Sequence, residues 1–322
     1  MLPTHQPPRI VFMGTPEFAV ASLKAILENG FFVVAVVTAP DRPAGRGMKL
    51  MESPVKQFAI EKQIPVLQPL KLKDPGFIST LAGFAADIQV VVAFRMLPEA
   101  VWSMPPLGTI NLHASLLPQY RGAAPINRAI MQGETETGLT TFKMKQEIDT
   151  GNILLSERMS IGPDETAGEL HDRMKVEGGA LLVETLKRLF NGSLKERPQS
   201  PPANEEIKTA PKLFTADAEI DWSLPVLTVQ NQIRGLSPYP GAFTRFNGKQ
   251  IKVLRSHVEL SGRLPQFGDY ETDGKSWLRF SAKGGFIYID EIQPEGKRKM
   301  QIGEFLRGQR LAPGNLSGFD QT

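Results

Sequence analysis

The feature that most constrains the fold is a rhythm of short, continuously apolar runs separated by stretches that open as helices. Residues 10–13 (IVFM), 31–38 (FFVVAVVT) and 88–94 (IQVVVAF) carry almost no polar side chain. A strand with one wet face alternates apolar and polar residues. Runs like these are buried on both faces, as in the middle of a parallel sheet. Between them Thr15-Pro16, Ser53-Pro54 and Asp74-Pro75 each set a short polar side chain before a proline. That pair predicts an N-cap followed by proline at the first helical position. Further strands are predicted over 109–115, 138–144 and 153–161, and a long helix over 166–190. Apolar strands alternating with helices predict an α/β domain with a doubly wound, mostly parallel sheet.

The pattern changes after residue 190. Residues 191–207 (NGSLKERPQSPPANEEI) are polar and proline-rich, as in a semi-rigid linker. Short alternating segments follow near 243–246, 250–255, 277–280 and 286–289. They predict a small β-barrel. The expected division is an α/β domain over 1–190, a linker over 191–207, a β-domain over 208–311 and a loose tail over 312–322. A chain of 322 residues is long enough for two such cores. There is no cysteine, which excludes disulfides and thiolate zinc sites. The most apolar run, FFVVAVV, is too short to cross a bilayer. The first residues, MLPTHQPPR, lack the apolar stretch of a secretory signal, so a soluble cytoplasmic protein is expected.

Charge is unevenly spread. Residues 1–207 hold 21 Lys/Arg against 22 Asp/Glu, and residues 208–322 hold 16 against 12. A basic C-terminal part suits an acidic partner such as nucleic acid, although a mildly unbalanced solvated surface reads the same way.

Chemistry concentrates in 110–125 (INLHASLLPQYRGAAP). Asn111, His113 and Ser115 stand at alternate positions, so on a strand they share one face. Three polar groups on one face of an otherwise apolar strand each cost roughly 1–3 kcal/mol if buried without partners. They therefore point to a site, at the strand edge where open α/β sheets bind ligands. Ser115 lacks the G-x-S-x-G elbow of a hydrolase nucleophile. Asp149, in EIDTGN, is an ordinary turn residue on its own. Its value rests on a pairing with His113 that spacing does not establish. Gly14-Thr15-Pro16 sits where a dinucleotide fold carries its glycines, but the second and third are missing, so the turn is read as structural. The loop 39–50 (APDRPAGRGMKL) presents Arg42, Arg46 and Lys49 among glycines and prolines. It is either a solvated loop or a clamp for a phosphate backbone.

These segments resemble the methionyl-tRNA formyltransferases, a branch of the folate-dependent formyltransferases. FMGTPEFAV, APDRPAGRGMKL, SPVKQFA, INLHASLLPQYRGAAPINRAI, DTGN and IDWSLP fall in that family's order along nearly the whole chain. The resemblance implies a Rossmann-like formyltransferase domain and an OB-like barrel that binds tRNA. It implies 10-formyltetrahydrofolate as donor, no metal, and the α-amine of methionyl initiator tRNA as acceptor. It places the catalytic trio at Asn111, His113 and Asp149, folate contacts at Ser115, Leu116, Leu117 and Pro118, and tRNA contacts at Arg42, Arg46 and Lys49. The amine would attack directly, with the trio stabilising the tetrahedral intermediate and His113 donating from either ring nitrogen. A monomer is expected. Two departures are visible: AFRMLP (93–98) where the family often has a glycine-containing AYGxxLP, and Ala114 where it often has Gly. Arg95 is thereby expected to alter one wall of the folate pocket. The rival readings are a formyltransferase acting on a nucleotide amine or an amino sugar, a hydrolase releasing formate, and an inactive RNA-binding module.

Overall fold

The computed structural model describes residues 7–44, 49–200, 206–246, 248–262, 266–308 and 314–316. In chain order these form β1 (Arg9–Gly14), α1 (Glu17–Glu28), β2 (Phe32–Val37), β3 (Arg42–Ala44), β4 (Lys49–Met51), α2 (Pro54–Glu61), β5 (Val66–Leu67), α3 (Pro75–Gly83), β6 (Ile88–Val92), α4 (Glu99–Trp102), β7 (Thr109–His113), β8 (Arg121–Gly122), α5 (Pro125–Met131), β9 (Glu136–Lys143), β10 (Ile153–Ser160) and α6 (Ala167–Phe190). Then come β11 (Thr209–Ala210), α7 (Thr215–Ala218), α8 (Val226–Leu236), β12 (Ala242–Phe246), β13 (Lys249–Leu260), β14 (Tyr270–Thr272), β15 (Leu278–Ala282), β16 (Gly285–Pro294), β17 (Met300–Gln301), α9 (Ile302–Arg307) and β18 (Gly314–Leu316).

Two compact units share the chain. The first takes its described residues from Met1–Gly122, Gly138–Met159 and His171–Thr209, the second from Ala123–Thr137, Ser160–Leu170 and Ala210–Thr322. The first unit is built on a seven-stranded sheet in the order β10-β9-β7-β6-β1-β2-β5. β7, β6, β1, β2 and β5 run parallel, and β9 is antiparallel to β7. Every residue of β6 is buried, as its continuous apolar sequence requires. Helices cover both faces. On one, Phe77 and Leu81 of α3 and Val101 of α4 pack on Val11, Met13 and Val91. On the other, the Thr185 hydroxyl of α6 meets that of Thr141 of β9 at 2.8 Å.

The caps read from sequence divide. Ser53 Oγ accepts from Lys56 N at 3.1 Å and Asp74 Oδ2 from Phe77 N at 2.8 Å, each ahead of a proline at the first helical position. Thr15 does not cap α1. Pro16 is the N-cap, extended at ψ 176°, and the helix begins one residue later than expected. Gly14 explains the turn: a Cβ there would lie 2.6 Å from that of Ala19 and 3.0 Å from Val92 O. It admits α1 to the sheet, a packing role.

The second unit is antiparallel. Its sheet runs β12-β13-β16-β15-β14-β18, with β17 beside β16. Trp222 of IDWSLP stacks on Phe280 at 4.5 Å and donates its indole N–H to Thr244 Oγ1 at 3.1 Å. Val229, Ile233 and Leu236 of α8, which periodicity missed, join the same core. Gly314–Leu316 pairs with β14, where the sequence suggested a loose tail. Backbone N–H and C=O groups pair whatever the side chains, so a place near the end of the chain does not keep a segment from joining a sheet.

Candidate active site

Cross-strand register lines up Val37, Met13, Val91, Asn111 and Phe142 in one row across the first unit's sheet. Four of the five are buried apolar residues. Asn111 is the polar break in that row. Its side chain is half-buried and has no hydrogen-bond partner among the described residues. The buried, unpaired side-chain atoms among the described residues lie elsewhere, on Ser22, Thr137 and Gln232, so this amide is open to water or to a ligand.

His113 follows on the same face, at the C-terminal end of β7, and is 7% exposed. Its ring meets Phe142 edge-on at 6.5 Å. Nε2 donates to Tyr120 O at 2.9 Å. A carbonyl only accepts, so Nε2 carries a hydrogen and the other ring nitrogen is bare in the neutral form. Nδ1 faces Asp149 Oδ2 at 3.7 Å, beyond hydrogen-bond range. The expectation that either nitrogen is free to donate is therefore corrected: Nε2 is taken, and only Nδ1 remains.

The SLLP segment forms the wall beside His113. The Ser115 hydroxyl donates to Gln119 O at 2.6 Å, the capping-type role expected of a serine that is no nucleophile. Thr140 Oγ1 donates to Ser115 O at 2.7 Å and accepts from Leu117 N at 3.2 Å. Leu117 packs with Phe142 and Ile153, Pro118 is buried, and Leu116 lies over Gly138. Tyr120, at φ +59°, turns its carbonyl back to the imidazole.

Asp149 sits in a turn at φ +54°. Its Oδ2 accepts from Gly122 N at 2.9 Å. Gly151 lets the turn close on β9, since a Cβ there would fall 1.6 Å from Lys143 O. The structure thus brings Asp149 to His113 across a 36-residue gap that spacing left open.

The basic loop is anchored at its base. Lys56 Nζ bonds Asp41, just before β3, and Glu52 at 2.9 Å, just after β4. Gln68 Nε2 donates to Asp41 Oδ1 at 2.7 Å. The Lys56 and Gln68 bonds hold the Asp41 carboxyl below its ordinary pKa, and Asp41 and Glu52 raise that of Lys56. Arg42 is exposed on β3. Arg46 and the Lys49 side chain lie outside the described residues. Arg95 donates to Pro69 O and to Leu70 O at 3.1 Å. Burial, then the nearby charge of Arg42, lowers its pKa from the arginine value. Sequence reasoning missed Tyr120 and Thr140. One acts through its carbonyl, and the other is an ordinary β-branched strand residue. No group of three or more His, Asp or Glu among the described residues is placed to hold a metal. No described helix is long and apolar enough to cross a membrane.

Residues 8–186 match the formyl transferase family, and residues 212–310 match the formyl transferase C-terminal domain. The chain belongs to the formyl transferase family. Methionyl-tRNA formyltransferases are close relatives. That of Bacteroides fragilis is 48% identical over 309 residues, 94% of this chain and 95% of the relative. That of Flavobacterium johnsoniae is 46% identical over 306 residues, 93% and 96% of the two chains. The resemblance read from the motifs thus extends along almost the whole sequence. Among solved structures, the N-formyltransferase of Helicobacter canadensis, in complex with folinic acid and dTDP-3-aminofucose, shares the fold. It has a TM-score of 0.64 at 21% identity, covering 91% of this chain and 100% of that one.

Proposed function

We propose that this enzyme moves the formyl group of 10-formyltetrahydrofolate to the α-amine of methionyl initiator tRNA, making N-formylmethionyl-tRNA for translation initiation. The observation that carries the chemistry is the pair of acceptors left facing each other. His113 Nδ1 and Asp149 Oδ2 lie 3.7 Å apart, so a hydrogen placed between them finds an acceptor on either side. An attacking amine brings one. The match in length and sequence to methionyl-tRNA formyltransferases supports the acceptor. The folinic acid in the Helicobacter protein supports a folate donor.

The neutral amine adds to the formyl carbon, and its nitrogen gains positive charge as the carbonyl oxygen gains negative charge. The unpartnered Asn111 carboxamide donates to that oxygen, and one such donor is worth about 3–4 kcal/mol. The surplus amine proton passes to the His113–Asp149 pair. Once Nδ1 holds it, His113 is a cation beside the oxyanion and an acid for the departing folate nitrogen. The carbon–nitrogen bond to folate breaks as that nitrogen takes the proton, so no proton is gained or lost overall. Enzyme nucleophiles play no part.

In this reading Ser115, Leu116, Leu117 and Pro118 contact the folate, and Arg42, Arg46 and Lys49 contact tRNA phosphates. Catalysis belongs to 1–190, with tRNA binding extended by the basic β-domain over 208–311. The enzyme works as a cytoplasmic monomer. Incubation with 10-formyltetrahydrofolate and, separately, charged initiator tRNA, glycinamide ribonucleotide, an amino sugar or buffer tests it. Formylated methionyl-tRNA is expected. A formylated nucleotide or sugar, or formate released in buffer, would replace this reading.

A further inference from the structure

The stretch that the sequence presents as a linker holds a side chain the chemistry above leaves unused. Gln199 Nε2 donates to Asp149 O and to Gly151 O, each at 2.8 Å. Its Oε1 accepts from Arg121 Nε at 3.1 Å and Nη2 at 2.6 Å. A carboxamide has two donor hydrogens and two acceptor lone pairs, and all four are filled. Arg121 immediately precedes Gly122, whose N–H holds Asp149 Oδ2. The bonds close a ring from the Asp149 carboxylate through Gly122 and Arg121 to Gln199 and back to the Asp149 carbonyl.

The segment bearing Gln199 is itself tied down. Arg197 and Ile153 exchange backbone bonds of 2.9 and 2.7 Å, and Glu196 takes the Asn152 amide at 2.9 Å. Asp149 sits at φ +54°, a left-handed turn position that aspartate tolerates, and Gln199 bonds the carbonyls on both sides of Thr150 there. The salt link to His113 is too long to hold the carboxylate in place.

We propose that Gln199 is a positioning residue for formyl transfer. It braces the Asp149 turn against Arg121, so that the carboxylate stays opposite His113 Nδ1. The proposal rests on reading Asp149 as a proton acceptor. Glutamate keeps the Arg121 bonds but has no hydrogens for the two carbonyls. Methionine keeps the length and loses every bond.

The test is a double-mutant cycle on the full chain with 10-formyltetrahydrofolate and charged initiator tRNA. Gln199→Met and Gln199→Glu are each made alone and with Asp149→Asn, and kcat, both KM values and the melting temperature are measured. Gln199→Met is expected to lower kcat roughly 10- to 100-fold, the scale of a catalytic group displaced by about an ångström, with both KM values nearly unchanged. Gln199→Glu should be comparably slow. In the Asp149→Asn background either substitution should add less than about twofold, because a misplaced carboxylate no longer matters. A fully active Gln199→Met enzyme overturns the proposal. So does an equal loss in both backgrounds, the mark of a purely structural residue. An Asp149→Asn enzyme at full speed overturns the reading of Asp149 and this proposal with it. A slow Asp149→Asn beside a fast Gln199→Met removes this proposal alone.

Discussion

His113 Nε2 is committed to the Tyr120 carbonyl, and that bond decides which nitrogen the substrate meets. The remaining nitrogen shares its space with the Asp149 carboxylate, while Asn111, two residues back on the same face, has no partner among the described residues. The two strand residues should therefore fail differently when cut. Asn111→Ala removes a donor that is idle in the resting enzyme. It is expected to lower kcat about 10²- to 10³-fold, with little change in melting temperature. His113→Ala should cost at least as much in kcat and also destabilise the fold by about 0.5–1.5 kcal/mol, because it removes the buried hydrogen bond to the Tyr120 carbonyl. Steady-state kinetics and thermal melts on the two variants check both halves. Near-wild-type turnover in either would remove that residue from the mechanism. The strand periodicity made Asn111 and His113 legible, since polar side chains repeating on one face of an apolar strand are costly to bury unless something meets them. Tyr120 carried no such signal, because a backbone carbonyl is present in every residue.

At the scale of elements, two turns bear predictable loads. The DTGN turn is closed by Gly151, where any side chain would collide with the Lys143 carbonyl. Gly151→Ala must push the turn off β9, and Asp149 with it. A displacement of that size is expected to reduce kcat about 100-fold or more, measurable by activity assay on the purified variant. Turnover within a fewfold of wild type would mean the turn has slack that the packing does not suggest. The second turn joins β14 to β15. The Asp273 carboxylate accepts the Ser276 hydroxyl and the backbone N–H groups of Lys275 and Ser276 at 2.9 and 2.8 Å. The Ser276 hydroxyl bond, with the backbone bonds behind it, holds the Asp273 pKa well below the ordinary carboxylate value. A depressed folded-state pKa contributes its full stability above the unfolded value, about 3.9, and loses it progressively as pH falls from there through the folded value. Asp273→Asn should melt lower than the parent at pH 7, and the gap should narrow from about pH 4 downward. A gap that persists unchanged at pH 2 would show that the charge is not what the turn uses. Turns of this kind are poorly legible in sequence, because DGKS reads as loop without saying how the aspartate is bonded.

For the whole molecule, the alternation of apolar strands with proline-capped helices was enough to predict the first unit's sheet, and its expected strands fall within two residues of those formed at most ends. The second unit was read less well. α8 and α9 were missed because their apolar faces serve a core supplied mainly by distant strands. The uneven charge belongs to this scale too. Residues 208–322 carry four more Lys/Arg than Asp/Glu, and Arg42 stands exposed on a hairpin whose base Lys56 clamps. If both meet the tRNA backbone, its binding should weaken steeply with salt through counterion release, each neutralised phosphate contributing about 0.7–0.9 to the log–log slope. Arg42→Ala should lower affinity for charged tRNA and make that slope shallower by about one phosphate's worth, while kcat at saturating tRNA stays close to wild type. Loss of affinity with an unchanged slope would mean that Arg42 shapes the loop and that no phosphate sits on it. An unchanged affinity would return the whole loop to solvent and leave the basic β-domain to hold the tRNA.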